Sequence, residues 1–378
     1  MVSYIEKEFK SAINNLKYPD SWFWCRYTIN PYQGCEHACI YCDARSNRYY
    51  LSDFEEEVII KKNIDKILDK QLKKSRTLLP DVIGPGGVCD GYQQIEKKIK
   101  NTQKILKVIA KHKYPINIAT KSRLILRDIA LLDRIGQETW STIGFSITTM
   151  KNELASFLEP YSSPPSERIK AIKIIKEKTN NIQVGTYLIP IIPYLTDKDK
   201  DLENIIKKTK EAGGDFLLFS AGLTLRDEQK DYFIKKLKNS PYRAIIDPLL
   251  KLYKDNIYPS NEYVIKLHKK LYVLCKKYNL SLREKRWIPR DYRKWNYKIS
   301  EILLNKEYLN SIRSGKSDNQ MKWAGLILNN LRESIIDIYK RRELSKVKNF
   351  SKRIIDVVEP IIINAEEYKK GKGLDRFL

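Results

Sequence analysis

Residues 30–45 read NPYQGCEHACIYCDAR and contain three of the six cysteines of the chain. Cys35, Cys39 and Cys42 have the spacing C-x3-C-x2-C, and the segment contains no fourth cysteine. Thiolates favour zinc, Cu(I) or iron–sulfur clusters, and a cubane cluster takes one ligand per iron. Three cysteines in one loop would therefore hold three irons of a [4Fe-4S] cluster and leave the fourth iron able to bind a small molecule.

The same loop admits two other interpretations. Cys35, His37, Cys39 and Cys42 could form a Cys3His zinc site, or the cysteines could be buried structural residues without a metal. Under the cluster interpretation, His37 is a loop residue directed at solvent or at the backbone. Six cysteines with half of them in one loop do not form a disulfide framework, and in a reducing compartment such clustering indicates metal or redox chemistry.

Composition places the chain among globular proteins with a polyanionic partner. The 378 residues suffice for one large domain and a smaller one, and the formal net charge is +25. Such an excess indicates a nucleic acid or an acidic surface, although the Lys, Ile and Asn content also fits the coding bias of an AT-rich genome. The amino terminus has no apolar core of signal-peptide type, and no long apolar run occurs, which predicts a soluble, cytoplasmic protein with no membrane contact.

Strand and helix patterns alternate through the first two thirds of the chain. A predicted strand at 22–29 leads into the cysteine loop, a helix should begin at or just after Cys42, and a strand and charged helix follow from residue 57. The repeating part has strands at 79–83, 116–120, 141–148, 182–189 and 216–220, and helices at 94–112, 127–135, 166–178, 197–212 and 226–238. About six βα units are expected, so the fold class is α/β, a partial (β/α)6 TIM-like barrel.

The remaining part, residues 246–378, is predicted to be a basic and mostly helical extension of the barrel domain 1–245. Residues 283–378 carry 23 Lys and Arg against 13 Asp and Glu. Basic and aromatic residues alternate at 285–298, which suits phosphates and stacked bases. The alternative is that Trp287, Trp295 and Tyr297 pack a helix within the fold. Residues 343–358 resemble a helix-hairpin-helix, with Asn349 and Ser351 where glycines are expected.

The cysteine loop resembles that of the radical S-adenosylmethionine superfamily. The resemblance rests on C-x3-C-x2-C placed after the first strand of a βα series, with Tyr41 before the last cysteine. It implies a [4Fe-4S] cluster on Cys35, Cys39 and Cys42, with the amino and carboxylate groups of S-adenosylmethionine on the open iron. It further implies reductive cleavage to a 5′-deoxyadenosyl radical, which abstracts hydrogen from a substrate.

Further matches, in chain order, resemble the spore-photoproduct-lyase-like branch, often labelled DNA repair photolyases. Residues 30–45 reproduce its opening motif apart from Asp43, where Tyr is usual. Its Thr-Asp-Pro-Tyr-Gln-Pro-x-Glu element reads CDGYQQIE at 89–96. The other matches are Thr120-Lys121-Ser122, Leu126-Arg127-Asp128, Ser146-Ile147-Thr148-Thr149, Leu158-Glu159-Pro160, Arg168 and Pro190-Ile191-Ile192-Pro193. The resemblance covers residues 22–240, with weaker similarity at 288–292.

This resemblance implies roles for residues at the strand ends. Tyr41 would lie against the adenine side of the cofactor. Gly86 and Gly87 would let the backbone approach the methionine amino group, because glycine has no Cβ. Lys121 and Ser146 would reach the cofactor carboxylate or ribose; the alternatives are a solvated loop lysine and a hydroxyl that bonds its own backbone.

Five further residues complete the predicted site. Asp90 and Pro190 are expected to belong to the cofactor-binding walls. Glu159 and Arg168 would form an ion pair around the Pro-rich turn. Cys89 is a candidate hydrogen-atom donor to a substrate radical, and the alternative is a buried, inert cysteine.

The predicted function is a radical S-adenosylmethionine enzyme that repairs a lesion in, or modifies a base of, a nucleic acid, as a photoproduct-lyase-like reaction would. One alternative is the same chemistry on a peptide or small metabolite. Another is a non-catalytic, zinc-bearing nucleic-acid-binding protein. The enzyme would also need an electron donor such as a flavodoxin or ferredoxin.

Overall fold

The structure is a computed structural model that describes residues 2–50, 54–75 and 77–369, with the side chains of the last helix described through residue 365. The chain forms two compact units. The first comprises Met1–Asn15 and Cys25–Lys285, and the second comprises Leu16–Trp24 and Arg286–Leu378. In the described part of the chain, no helix combines the length and the apolar character that crossing a membrane requires.

The first unit contains all the strands of the described chain. They are β1 (Ser3–Glu8), β2 (Asn14–Asn15), β3 (Tyr27–Ile29), β4 (Tyr32–Gln33), β5 (Glu57–Lys62), β6 (Ile83–Pro85), β7 (Ile116–Thr120), β8 (Ser141–Ser146), β9 (Ile182–Ile191) and β10 (Phe216–Ala221). Its helices are α1 (Ile64–Lys74), α2 (Glu96–Ile99), α3 (Asn101–Lys111), α4 (Ile129–Glu138), α5 (Asn152–Leu158), α6 (Pro165–Lys178), α7 (Asp199–Glu211), α8 (Asp227–Lys238), α9 (Ile246–Tyr253) and α10 (Asn261–Lys277).

The main sheet has the order β10-β9-β8-β7-β6-β3-β2. The six strands from β3 to β10 in this order are mutually parallel, and only β2 is antiparallel to its neighbour. Helices connect the successive parallel strands, as βα crossovers require. The predicted partial (β/α)6 barrel is therefore confirmed.

The inner strands of the sheet form the core. Ile143 of β8 pairs with Ile118 of β7 and with Val184 of β9, and all three side chains are buried. Gly144 leaves room for the ring of Tyr187, whose hydroxyl donates to Glu284 (2.6 Å). Glu284 also accepts from the Asn117 side chain (2.6 Å), so a hydrogen-bonded network links two strands to the segment that ends the unit.

A second, three-stranded sheet has the order β1-β5-β4. The strand predicted at residue 57 belongs here, because Tyr32 and Gln33, just before the cysteine loop, pair with Ile60 and Ile59. This sheet therefore supports the cysteine loop rather than extending the barrel.

Several predicted elements differ in extent from the observed ones, and the strand expected at 79–83 shares only Ile83 with β6. The strand expected at 22–29 shortens to β3, because Asp20 accepts from the backbone N–H groups of Trp22 and Phe23 and turns the chain there. The helix expected after Cys42 is two short 3₁₀ turns. The helix expected at 94–112 is broken into α2 and α3 at Lys100, whose φ is +60°.

The unit boundary also lies later than the predicted one at residue 245. Helix α10 packs on α7 and β10, and a bridge joins Ser281 to Phe216, so the chain through Lys285 remains with the barrel. The periodic βα pattern ends before these helices, which is why the sequence pattern placed the boundary too early.

The second unit contains α11 (Lys294–Ser314), α12 (Asn319–Leu328), α13 (Ile335–Lys340) and α14 (Lys352–Lys369). A 3₁₀ turn at Leu344–Lys346 and a left-handed Asn349 (φ +63°) join α13 to α14. Within 343–358 the structure has this 3₁₀ turn and the first part of α14, whereas α13 ends before these residues. Leu344, Val347 and Phe350 are buried in the core of the unit, which anchors the turn.

The basic and aromatic stretch at 285–298 is largely engaged with itself. The guanidinium of Arg286 lies 4.0 Å from the ring centroid of Tyr297, which is buried, and 4.9 Å from that of Trp24. Arg293 is also buried and pairs with Asp291 (2.6 Å). The packing alternative therefore describes Tyr297, and base stacking on this ring is ruled out by its burial.

Candidate active site

The cysteine loop begins where β4 ends and is folded tightly on itself. Gly34 has φ +80°, and a Cβ at this position would collide with the carbonyl of Glu57. The N–H of Cys35 donates to the Phe54 carbonyl (3.1 Å), and that of Cys42 donates to the Cys39 carbonyl (3.3 Å). The backbone thus holds the three cysteines in one compact turn.

Two of the three thiols are buried, and Cys42 is half-buried. Burial raises the pKa of Cys39 to about 12, and the Lys121 ammonium opposes that rise. Burial likewise raises the pKa of Cys35 and Cys42, while the backbone N–H groups of Asp90 and Ala44 act in the opposite direction. Because burial disfavours thiolates, a metal is the partner that would stabilise them here.

The donor set fits a cluster better than a single ion. Within the described residues, no three Cys, His, Asp or Glu side chains converge on one metal position. A cubane does not require such convergence, because each cysteine binds a different iron. His37, the fourth ligand of the zinc alternative, is buried, with Nδ1 3.3 Å from the Tyr161 carbonyl and Nε2 3.1 Å from Asp90. Both ring nitrogens therefore have protein partners.

Glu159 forms a buried polar cluster on one side of the loop. It pairs with Arg168 at 2.5 Å, and both side chains are 1% exposed. It also accepts from the hydroxyl groups of Tyr41 and Thr148. Burial by itself would raise the pKa of Glu159, but Arg168 and Lys121 outweigh it and hold this pKa below its usual value. The predicted Glu159–Arg168 ion pair is present.

The Asp90 carboxylate lies on the other side of the cysteine loop and, like that of Glu159, is surrounded by hydrogen-bond donors. Its carboxylate accepts from the Thr120 hydroxyl (2.8 Å) and from the backbone N–H groups of Lys121 (2.7 Å) and Tyr92 (2.8 Å), besides facing His37. Burial opposes ionisation, yet these donors lower the pKa of Asp90 to about 2. The carboxylate thereby joins the loop after β6 to the end of β7.

Lys121 lies just after β7 and Ser146 ends β8, and the side chains of both keep polar atoms without a close polar partner among the described residues. The Lys121 ammonium lies 5.7 Å from the Tyr41 ring centroid and forms no ion pair with any residue that the structure describes. Burial would lower the pKa of Lys121, but Cys39 and Glu159 raise it, so the ammonium stays charged. The Ser146 hydroxyl makes no hydrogen bond within the described chain, whereas its carbonyl accepts from Arg168 (2.7 Å).

Gly86 and Gly87 differ in what surrounds them. Gly86 has φ +81°, and a Cβ there would lie 2.7 Å from the Cys89 carbonyl oxygen. A Cβ on Gly87 would meet no atom within 4 Å. The turn therefore requires a glycine at position 86. The backbone of Gly87, just after β6, faces a space that no atom of the described residues fills. Pro190 lies near the end of β9 and follows a cis peptide bond.

Comparison with known proteins agrees with this geometry. The family model of the radical SAM superfamily matches residues 29–209, which span the cysteine loop and the strands β4 to β9. The chain belongs to the radical SAM superfamily. An uncharacterized protein of Methanocaldococcus jannaschii is 33% identical over 211 residues, covering 55% of this chain and 74% of the relative. An uncharacterized protein of Mycobacterium tuberculosis is 27% identical over 285 residues, covering 74% and 82%.

Solved structures similar to this radical SAM protein include spore photoproduct lyase. A variant of that enzyme matches with a TM-score of 0.56 at 15% identity, covering 73% of this chain and 79% of the other. Spore photoproduct lyase complexed with a dinucleoside spore photoproduct matches with a TM-score of 0.55 at 16% identity and the same coverage. Because the sequence identities are this low, these two matches establish the shared fold and nothing beyond it.

Radical SAM enzymes use a [4Fe-4S] cluster and S-adenosylmethionine, and both fit the residues present. Cys35, Cys39 and Cys42 are the three thiols that would hold the cluster. When bound, the pair supplies a 5′-deoxyadenosyl radical that abstracts hydrogen. The chain contributes a preformed loop, a charged lysine and a strand edge that lets a ligand approach the backbone of Gly87.

Several residues of this radical SAM site were not predicted from the sequence. Arg45 donates to the Cys39 carbonyl (3.0 Å), pairs with Glu55 and stacks its guanidinium 3.8 Å from the Tyr232 ring centroid. Asp43 accepts from the Thr224 hydroxyl and pairs with Arg226 at 3.1 Å. The loop after β10 thus holds the cysteine loop in place through these contacts to Asp43. Arg45 belongs to the matched motif, whereas its partners lie far away in sequence.

Proposed function

We propose that this radical SAM enzyme cleaves S-adenosylmethionine to abstract hydrogen from a nucleic acid, in lesion repair or base modification. One observation carries the proposal: three cysteine thiols lie at the strand ends near an ammonium without an ion pair, a hydroxyl without a hydrogen bond and an open glycine backbone, as far as the described residues extend. A cofactor with a carboxylate, a ribose and an amino group matches those three groups. Active sites of barrel folds lie at this edge of the strands.

Each predicted residue has a role in this proposal. Lys121 and Ser146 bind the cofactor carboxylate or ribose, and Gly86 and Gly87 form the turn that the methionine amino group approaches. Tyr41 lies against the adenine, held in place by its hydrogen bond to Glu159.

Two more predicted residues shape the walls of this site. Pro190 forms part of the wall at β9. Asp90 positions the loop after β6 through its four donors.

Three features support a nucleic acid as the substrate. Spore photoproduct lyase, which shares the fold, has been solved with a dinucleoside photoproduct. The net charge of +25 favours a polyanion. In the second unit, the turn between α13 and α14 has the left-handed Asn349 that a phosphate-binding hairpin needs, with the exposed Lys348 and Lys352 beside it.

Cys89 is proposed as the hydrogen-atom donor, and the contacts of its thiol decide which experiment can test this role. Its thiol is buried, donates to the Tyr32 carbonyl (3.2 Å) and packs with Val58 and Ile60 of β5, and burial raises its pKa to about 12. A neutral S–H, rather than a thiolate, is the form that can give up a hydrogen atom. Cys89→Ala should lower product yield and allow a substrate radical adduct to be trapped. Unchanged yield without an adduct would assign Cys89 to the core.

The function is tested by anaerobic reconstitution with iron and sulfide, followed by addition of reductant and S-adenosylmethionine. Ultraviolet-irradiated DNA, undamaged DNA and bulk RNA are compared, and 5′-deoxyadenosine is measured. A burst of 5′-deoxyadenosine with one nucleic acid identifies the substrate class. A protein that binds one zinc and no iron would contradict the enzyme assignment.

A second assay separates nucleic acid from a peptide or metabolite substrate. Binding to DNA or RNA should weaken steeply as salt increases, because phosphate neutralisation releases counterions. Lys348→Glu with Lys352→Glu should weaken this binding, and Lys104→Glu with Lys107→Glu on exposed α3 positions is the charge-matched control. If no binding occurs even at low salt, the nucleic-acid proposal fails while the radical SAM assignment stands.

A further inference from the structure

Arg45 is a buried cation that bonds to the backbone of two of the three cysteines of the loop. It lies at the end of the 3₁₀ turn Asp43–Arg45, for which Cys42 is the N-cap residue. Its backbone N–H donates to the Cys42 carbonyl (3.2 Å), and its side-chain Nε donates to the Cys39 carbonyl (3.0 Å). The Arg45 side chain is only 6% exposed. A positive charge is therefore held beside two of the proposed cluster ligands.

Two aromatic rings shield the Arg45 guanidinium from water. Its central carbon lies 3.8 Å from the ring centroid of Tyr232 in α8 and 4.9 Å from that of Phe54, in the segment before β5. Phe54 is buried and Tyr232 is half-buried. Because the rings keep water away, the charge acts on its surroundings through a medium whose effective dielectric constant is lower than that of bulk water.

The carboxylates near Arg45 are more exposed than the guanidinium. Glu55 pairs with Arg45, but its side chain is 25% exposed and also accepts from the Tyr232 hydroxyl. The Asp43 side chain is 37% exposed and pairs with Arg226. Solvent screens exposed charges more strongly than buried ones. The two carboxylates therefore reduce the field of the guanidinium at the cysteines without cancelling it.

The Cys42 thiol shows the sign of this field. Burial raises the pKa of Cys42 most, and Asp43 also raises it. The Ala44 N–H and the cations Lys121 and Arg45 lower this pKa, so the guanidinium favours the negative thiolate. A cluster becomes more negative by one charge when it is reduced, and its reduction potential depends on nearby charge and on solvent exposure. A cation that favours a thiolate here favours the reduced cluster for the same electrostatic reason.

We propose that Arg45 raises the reduction potential of the cluster by holding a buried positive charge against the cysteine loop. The inference rests on the proposed function, because it needs a cluster on Cys35, Cys39 and Cys42, but it does not depend on the substrate. When a reductant gives one electron to the cluster, the reductant is oxidised by one electron, and no covalent bond forms or breaks. Lys121 is proposed to bind the cofactor carboxylate, whereas Arg45 has no such ligand role.

The test is an anaerobic redox titration of the reconstituted full chain with dithionite, without S-adenosylmethionine. The electron paramagnetic resonance signal of the reduced cluster gives the midpoint potential. Arg45→Met should shift the equilibrium about tenfold towards the oxidised cluster, which is about 59 mV for one electron. Glu55→Gln should shift it in the opposite direction, because it removes the negative charge that partly offsets Arg45. Arg45→Lys keeps the charge and should stay closer to wild type than Arg45→Met.

Arg134→Met is the matched control, because it removes an exposed arginine of α4 that also pairs with a glutamate. Its midpoint potential should equal that of wild type. Opposite shifts in Arg45→Met and Glu55→Gln are the signature of charge, since a purely structural role gives loss of cluster or shifts of one sign. If both variants keep the wild-type potential, or both shift in the same direction, the inference is overturned and the proposed function stands.

Two further outcomes are also decisive. If Arg45→Met takes up no cluster, Glu55→Gln decides the question: a raised potential supports the inference, and an unchanged or lowered one overturns it. If the wild-type chain itself takes up no iron, the proposed function fails, and the inference fails with it.

Discussion

Two sets of polar groups surround the cysteine loop, and they differ in whether the protein satisfies them. Glu159 and Asp90 are buried, ionised and fully supplied with partners from the chain. Lys121, Ser146 and Gly87 lie at the same strand edge but keep a charge, a hydroxyl or a backbone surface without a partner in the described chain. Satisfied buried groups hold a fold together, while unsatisfied ones are suited to a ligand. The comparison therefore separates residues expected to control stability from residues expected to control cofactor binding.

Glu159→Ala is expected to give the largest effect. It leaves the Arg168 guanidinium buried without its counter-ion, and breaking one partner of a buried pair costs about 3–5 kcal/mol of unfolding free energy. Urea denaturation of the iron-free protein measures this loss. Glu153→Ala, at an exposed position of α5, should change stability little. Equal stability of both variants would show that the Glu159 cluster does not hold the loop.

The adjacent glycines provide a sharper contrast. Gly86→Ala should lose roughly 1–3 kcal/mol of stability, because its φ is positive and its Cβ would press on the Cys89 carbonyl. Gly87→Ala should leave the unfolding free energy nearly unchanged, because its Cβ meets no protein atom. It should instead weaken S-adenosylmethionine binding to the reconstituted enzyme, measured by calorimetry. If the two variants exchanged these effects, our assignment of the turn would be wrong.

Lys121→Met tests the charged group of the unsatisfied set. Loss of a hydrogen bond to a charged group costs about 1.5–3 kcal/mol, so the Kd for S-adenosylmethionine should rise about 10- to 150-fold. Stability should fall much less than in Glu159→Ala, because the Lys121 ammonium acts on Glu159 through space and forms no ion pair in the described chain. Lys104→Met on exposed α3 is the matched control. A stability loss without a change in Kd would place Lys121 among the structural residues.

Ser146→Ala is expected to give the smallest effect. A neutral hydrogen bond contributes about 0.5–1.5 kcal/mol, which corresponds to a Kd increase of about 2- to 13-fold. The Ser146 carbonyl, which accepts from Arg168, is retained in the variant, so unfolding should be unaffected. Calorimetry and thermal melts on one preparation measure both quantities. An unchanged Kd would remove Ser146 from the cofactor site.

Much of the site could be predicted because its signals are local. Cys35, Cys39 and Cys42 lie within eight residues, and Gly86 with Gly87 belongs to the Gly-Pro-Gly-Gly sequence of a turn at 84–87. The alternation of apolar runs likewise indicated six parallel strands. What escaped prediction depends on distant partners. The ring of His37 lies between Asp90, at 3.1 Å from Nε2, and the carbonyl of Tyr161, which is 124 positions away in the chain.

In the second unit, too, the sequence pattern could not show which side chains are buried. The alternation of basic and aromatic residues at 285–298 can be recognised in the sequence, but this pattern does not show whether an aromatic ring is exposed. Tyr297 is buried against Arg286, so cations and rings that appeared available for a nucleic acid stabilise each other. Within 285–298, the basic and aromatic residues left exposed are Lys285, Arg290, Tyr292 and Lys294.

The sequence by itself determined the superfamily and the parallel βα architecture and indicated Cys35, Cys39 and Cys42 as candidate cluster ligands, because residue spacing and hydrophobic period act over short distances along the chain. Only the tertiary structure decided which polar groups are satisfied. Hydrogen bonds such as that from Tyr41 to Glu159 join residues 118 positions apart, and only the folded chain brings them together. The tertiary structure therefore decides which polar groups bond within the protein and which are left without a partner in the described chain.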